Sequence, residues 1–177
     1  IPSFFNRLEK YFSHPFRILS RRLRGPAKGR AGKTSLLREF CRGKRTIFFT
    51  AREENEKINL RAYSEALSET AGITLGPFDD FEDAMKATAE VCRGKKTVLV
   101  IDELPFAAKA SGYFPSTLQY YMDHVFAEME VMVIICGSSA GTMDSLINGR
   151  QRPLFGRFSR QLELKPLDYL DSRRFIP

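Results

Sequence analysis

Short apolar runs and amphipathic stretches alternate along this chain. Three runs, at residues 46–50, 97–103 and 131–136, have the length and the apolar content of buried strands. Between them, apolar residues recur at the spacing of one helix face, as at Tyr63 and Leu67. The alternation predicts an α/β fold, in which helices cover both faces of a parallel sheet.

The remaining elements follow from weaker signals. Residues 16–23 occupy the place of a first strand, but their charge argues against a central position in a sheet. A short final strand is predicted at residues 161–164. Further helices are predicted at residues 34–41, from 60 to a cap at Gly72, from Asp79 or Asp80 to 92, around 118–125 and at 140–147.

The most specific motif is the segment Ala-Lys-Gly-Arg-Ala-Gly-Lys-Thr at residues 27–34, which fits the phosphate-binding P-loop. Glycines at 29 and 32 allow backbone N–H groups to turn toward phosphate oxygens, the lysine adds a positive charge, and the threonine hydroxyl suits Mg²⁺. The alternative is a basic, glycine-rich loop without a ligand, and alanine at 27 departs from the usual first glycine. The residues assigned to the nucleotide are Ala27, Gly29, Arg30, Ala31, Gly32, Lys33, Thr34 and Ser35.

Two carboxylates, Asp102 and Glu103, close the apolar run at 97–103. Open α/β sheets bind ligands beyond the carboxyl ends of their strands, so Asp102 is expected to face the P-loop and to hold Mg²⁺ through its water shell. Glu103 is then the candidate base, which would deprotonate the water that attacks the γ-phosphate. The alternative is a strand end that happens to be acidic.

Hydroxyl and guanidinium groups later in the chain complete the candidate site. Ser138 and Ser139 follow the run at 131–136, where they would contact the γ-phosphate or the attacking water; the alternative is a Gly-Ser turn. Arg157, with Arg160 as second choice, is the candidate for stabilising transition-state charge, in the same chain or across a subunit interface.

Composition narrows the class of protein. A length of 177 residues with 43% hydrophobic content suits one domain, residues 1–177, with a sizeable core. No apolar stretch approaches a membrane span, and the N-terminal segment lacks a signal-peptide core, so no membrane association and a cytoplasmic location are expected. The cysteines, Cys41, Cys92 and Cys136, stand in apolar contexts and are expected to be reduced core thiols.

The net charge of +7 is concentrated in the first quarter of the chain. This basic segment is expected to surround the phosphate site, and attraction to nucleotide phosphates accounts for part of it. Arginines upstream of the P-loop suit two interpretations, a binding surface for a nucleic acid or an acidic partner and a solvated charged surface without a partner. Its members are Arg17, Arg21, Arg22, Arg24, Lys28, Arg30, Lys33, Arg38, Arg42, Lys44 and Arg45.

Taken together and in this order, the motifs resemble those of the prokaryotic "archaeal ATPase" family of AAA+/STAND-like P-loop ATPases. The resemblance implies a P-loop three-layer sandwich whose parallel sheet of about five strands has the order 5-1-4-3-2. It also implies that Lys33 and Thr34 contact phosphate and Mg²⁺, that Asp102 holds Mg²⁺, that Glu103 is the base and that Arg157 belongs to the family's Gly-Arg motif. The segments that carry it are residues 5–7, 27–34, 46–56, 100–106, 135–139, 153–157 and 164–167.

The resemblance implies a domain that binds ATP and ADP and hydrolyses ATP with Mg²⁺, as a switch or motor that is able to self-associate. Similar members usually continue into a winged-helix region and a nuclease-like domain, so this chain resembles the ATPase core of such a protein. Two alternatives use the same residues differently. One is a P-loop small-molecule kinase, and the other is a nucleic-acid-binding module with a degenerate nucleotide site.

Overall fold

The computed structural model describes residues 17–21, 31–137, 140–147, 152–158 and 160–163. In these ranges the strands are β1 Arg17–Arg21, β2 Thr46–Thr50, β3 Thr97–Asp102, β4 Val131–Cys136 and β5 Arg160–Glu163. The α-helices are α1 Ala31–Cys41, α2 Glu56–Ala71, α3 Phe81–Cys92, α4 Leu104–Ala110, α5 Phe114–Tyr120 and α6 Ala140–Ile147. A π-helical turn, Tyr121–Val125, and a 3₁₀ turn, Phe126–Glu128, extend α5.

The strands form one five-stranded sheet with the order β2-β3-β4-β1-β5, in which all neighbours are parallel. Read from the other edge, this is the predicted order 5-1-4-3-2. The expectation that charge would keep the first strand from a central place is wrong, because β1 lies between β4 and β5 and pairs with both. Two backbone ladders satisfy the N–H and C=O groups of β1 whatever side chains it carries.

Two apolar cores lie on opposite faces of the sheet, because successive strand residues point to opposite sides. On one face, Leu99 and Ile101 of β3 pack in the cluster that contains Phe49, while on the other Val98 and Val100 pack with α1. All six residues of β3 and all six of β4 are buried. The predicted helix–sheet–helix layers are therefore present.

The ends of the helices have identifiable causes. The Asp80 side chain accepts a hydrogen bond from the Asp83 N–H at 2.9 Å and so caps α3, which decides between the two predicted starts. Gly72 ends α2 with a φ of 75°, in the left-handed region that glycine adopts without strain. Helix α1 begins at Ala31, three residues before the predicted start at Thr34.

Candidate functional site

The first feature of the site is a contact between Thr34 and Asp102, which are 68 residues apart in the sequence. The Thr34 hydroxyl donates to Asp102 Oδ2 at 2.7 Å. The contact forms because α1 packs along the sheet with its first turn at the carboxyl end of β3. The contact places the threonine of the motif beside Asp102, whereas residues 27–30 of the motif lie outside the described residues.

The carboxylate of Asp102 is buried and accepts two further hydrogen bonds. Asp102 is 1% exposed, and its Oδ1 accepts hydrogen bonds from the Glu103 backbone N–H at 3.1 Å and from Cys136 Sγ at 3.0 Å. Three donors thus compensate for the loss of water around this group. Cys136 was predicted to be a reduced core thiol, and it is indeed buried and outside any disulfide, but its contact with the acid was not predicted.

The donor set fits magnesium. Mg²⁺ prefers oxygen ligands, keeps several waters, and is usually held by one or two carboxylates together with substrate phosphates. Thr34 and Asp102 supply one hydroxyl and one carboxylate within hydrogen-bond distance of each other. Within the described part of the chain, no cluster of three or more His, Cys, Asp or Glu side chains offers a cage made of protein alone.

Glu103 has an unusual backbone conformation, with φ 56° and ψ 44°. This left-handed region is unfavourable for a residue with a side chain, and such strain is found preferentially at functional sites. The conformation turns the chain from β3 directly into α4, whose first turn contains Pro105. Glu103 is half-buried and directly follows Asp102 at the end of β3.

The loop after β2 forms one wall of the same edge, and a residue that sequence reasoning missed shapes it. The fully buried Asn59 accepts from the Arg52 N–H at 2.8 Å and donates to the carbonyl oxygens of Arg52, Glu54 and Asn55. The loop also joins β3, since the Ala51 N–H donates to the Asp102 carbonyl at 2.8 Å. The sequence signal that could have indicated this role is a polar residue next to the apolar face of α2.

Arg157 contacts residues at the end of α5 and in the turn that follows it. Its Nε lies 2.7 Å from Asp123 Oδ2, in an ion pair whose side chains are 29% and 24% exposed. With the Gln119 amide oriented so that its oxygen faces the guanidinium, that oxygen accepts from Arg157 Nη2 at 2.7 Å. Asp123 lies in the π-helical turn after α5. The sequence predicted a regular helix around residues 118–125 and gave no sign of this turn.

The structure describes several of the predicted site residues only by their backbone or not at all. Ala27, Gly29, Arg30, Ser138 and Ser139 lie outside the described residues. The described backbone gives places to the others: Ala31, Gly32 and Lys33 are in the first turn of α1, Ser35 is exposed on α1, and Arg160 begins β5.

A family model described as an ATPase domain predominantly from Archaea matches residues 25–177. The chain belongs to this family. The match covers both the Thr34–Asp102 contact and the segment that contains Arg157.

Individual proteins are also similar to this member of the family of ATPase domains. An uncharacterized protein of Methanocaldococcus jannaschii is 24% identical over 148 residues, which are 84% of this chain and 32% of that protein. A Walker-type ATPase of Pyrococcus abyssi has a TM-score of 0.72 at 17% identity, covering 98% of this chain and 55% of that one. The ORC1 protein of Aeropyrum pernix, solved in complex with DNA, has a TM-score of 0.69 at 18% identity, covering 98% and 47%. The chain thus spans about a third to half of the length of these proteins, and the two structures show the fold that it shares.

The basic segment of this ATPase domain is divided by the fold. Arg42, Lys44 and Arg45 lie in the turn between α1 and β2, at the sheet end opposite to Asp102. Arg45 there donates to the Val91 carbonyl at 3.3 Å. The expectation that the whole basic segment surrounds the phosphate site is therefore wrong for these three residues. Arg22, Arg24 and Lys28 lie outside the described residues.

In the described ranges, no helix of this family member has the length and apolar content needed to cross a membrane.

Proposed function

We propose that this chain binds ATP together with Mg²⁺ and hydrolyses the bound ATP, acting as a switch or motor domain. The observation that carries the proposal is the hydrogen bond from Thr34 to the buried Asp102. It joins the last residue of a P-loop motif to the acid at the carboxyl end of β3, where open α/β sheets bind ligands. Family membership supports the same activity.

Each residue has a distinct part in the proposed reaction. The N–H groups of the loop and of the first turn of α1, with Lys33, bind the phosphates, and Thr34 and Asp102 hold the metal. Mg²⁺, when bound, supplies positive charge to the β- and γ-phosphates. Glu103 accepts a proton from the water that attacks the γ-phosphorus, and ADP and inorganic phosphate are the products.

The direct test is phosphate release from ATP, with Mg²⁺ and with EDTA, by the chain and by its Asp102→Asn variant. We expect the unmodified chain to release phosphate with Mg²⁺ but not with EDTA. The variant is expected to lose this release, because the amide lacks the negative charge that holds the cation. Asp79→Asn, at an exposed aspartate before α3, is the matched control. Metal-independent release, or equal rates in the Asp102→Asn and Asp79→Asn variants, contradicts the proposal. ADP formation that requires an added acceptor and yields no inorganic phosphate identifies the kinase alternative.

Lys33→Ala is expected to weaken ATP binding by at least about tenfold, because it removes a charge-assisted contact to the terminal phosphates. Titration of a fluorescent ATP analogue measures the change, and circular dichroism shows whether the variant is folded. Lys57→Ala, at an exposed lysine on α2, serves as the control. A folded Lys33 variant with unchanged ATP affinity would remove the P-loop assignment.

A nucleic acid is the second candidate ligand, on the basis of the net charge of +7 and of the likeness to the DNA-bound ORC1 protein. The arginines upstream of the P-loop motif are the proposed contacts. Binding to phosphates releases counterions, so DNA affinity is expected to fall steeply as salt rises. Fluorescence anisotropy with labelled duplex, over a salt series and with and without ATP, tests this. Affinity that does not change with salt is incompatible with it.

A further inference from the structure

Cys136 is a fully buried cysteine whose thiol contacts the acid of the proposed metal site. Its Sγ lies 3.0 Å from Asp102 Oδ1, and the residue is 0% exposed. A carboxylate is acceptor-only when ionised, so the thiol is the donor in this pair. The other two cysteines, Cys41 and Cys92, are free and buried as well.

The strand register brings the two groups together. Ile135 of β4 pairs with Ile101 of β3, and Cys136 and Asp102 each follow one residue later. In neighbouring parallel strands, residues at equivalent positions point to the same face. That face carries α1, so the thiol, the carboxylate and Thr34 share one side of the sheet.

Close packing fixes the backbone just beyond the thiol. A Cβ atom at Gly137 would come within 2.8 Å of Pro105 Cδ and of both Cγ and Sδ of Met143. Pro105 belongs to α4 and Met143 to α6, so two helices hold this point at the end of β4. The Cys136 side chain therefore has a rigid base from which to reach Asp102.

The donors divide between the two carboxylate oxygens. Oδ1 accepts from Cys136 and from the Glu103 N–H, whereas Oδ2 accepts from Thr34. Two donors from different directions on one oxygen oppose rotation of the carboxylate plane. A thiol is a weak donor, so it orients the group and leaves most of the negative charge for a cation.

We propose that Cys136 is a positioning residue for magnesium: its thiol holds Asp102 Oδ1 so that Oδ2 stays directed toward Thr34. The inference rests on the proposed function, since it concerns the same metal site. Groups that orient a ligand typically change metal affinity about 10–100-fold when they are lost. Because a thiol is a weak donor, the lower end of that range is expected here.

The test compares nucleotide affinity with Mg²⁺ and with EDTA, using a fluorescent ATP analogue, so that binding is measured without turnover. Cys136→Ala is expected to lose about tenfold in affinity with Mg²⁺ and to match the unmodified chain in EDTA. Cys136→Val, which occupies the space without a donor, is expected to behave in the same way. Cys136→Ser is expected to restore the metal-dependent affinity, because its hydroxyl donates to the carboxylate.

Cys92→Ala is the matched control for loss of a buried thiol. Cys92 lies buried at the end of α3, where burial raises the pKa of its thiol to about 11. Its variant is expected to lower the melting temperature without changing the ratio of the two affinities.

The outcomes separate the two proposals. If the unmodified chain prefers Mg²⁺ but the Ala and Val variants keep the same preference, the role of Cys136 is refuted and the proposed function stands. The role is also refuted if Cys92→Ala or Cys136→Ser causes the same loss as Cys136→Ala. If the unmodified chain binds nucleotide in neither buffer, the proposed function fails and this inference fails with it.

Discussion

Replacing Glu103 with glutamine is expected to leave ATP bound while it slows turnover by about 10²–10⁴-fold, the usual contribution of a general base. The amide keeps the size of the side chain but accepts a proton poorly. Single-turnover phosphate release and ATP titration measure the two quantities separately. Glu54→Gln, at an exposed glutamate in the loop beyond β2, is the matched control and is expected to be silent.

The backbone of Glu103 supplies a second test of the same residue. Glycine adopts its φ of 56° without strain, so Glu103→Gly is expected to raise the free energy of unfolding by up to about 1 kcal/mol. The same variant should lose turnover, because it has no base. If Glu103 had only a structural role, Glu103→Gly would instead lower the free energy of unfolding.

Full turnover in the Glu103→Gln variant would show that Glu103 is not the base.

Replacing Arg157 with alanine is expected to slow turnover by about 10³–10⁵-fold, the effect of an arginine finger in related phosphoryl transfer, with little change in ATP binding. In this structure the guanidinium is bound to Asp123 and Gln119, so it must exchange these partners for phosphate oxygens when ATP is hydrolysed. Turnover is measured at saturating ATP and over a range of protein concentrations, so that an Arg157 acting on ATP in a neighbouring subunit is also detected. Arg160→Ala is the internal control.

Asp123→Asn separates catalysis by Arg157 from a structural role of the ion pair. If Arg157 only ties residues 152–158 to the end of α5, the Asp123 and Arg157 variants should lose stability and turnover together. If Arg157 acts on phosphate, the Asp123 variant should keep its turnover, since it frees the guanidinium. If Arg160→Ala slows turnover and Arg157→Ala does not, Arg160 is the arginine finger. If neither variant slows turnover, the arginine-finger hypothesis is wrong.

Much of the fold was predictable because its local signals agree with one another. The runs that became β3 and β4 are apolar at nearly every position, which is what a strand buried on both faces requires. Asp80 and Gly72 mark helix ends with interactions that involve only their near neighbours in the chain. The strand order came from the family resemblance, since parallel pairing is a long-range property that periodicity does not contain.

The candidate site was predictable in part. The P-loop motif and the acid after β3 are local patterns, and their meeting follows from the general rule that ligands bind at the carboxyl ends of parallel strands. The donor from Cys136 and the loop held by Asn59 were missed. Each depends on two elements coming together, and the residues concerned look like ordinary core or helix positions in the sequence.

The sequence by itself determined where strands and helices form, because hydrophobic period and capping are properties of neighbouring residues. It also determined which chemical groups are offered for phosphate and magnesium. Only the tertiary structure decided that the charged β1 is central, that Arg157 is paired with Asp123, and that three basic residues lie at the end of the sheet opposite to Asp102. These outcomes depend on register, helix packing and strand direction, which bring distant residues together through contacts that no local pattern records.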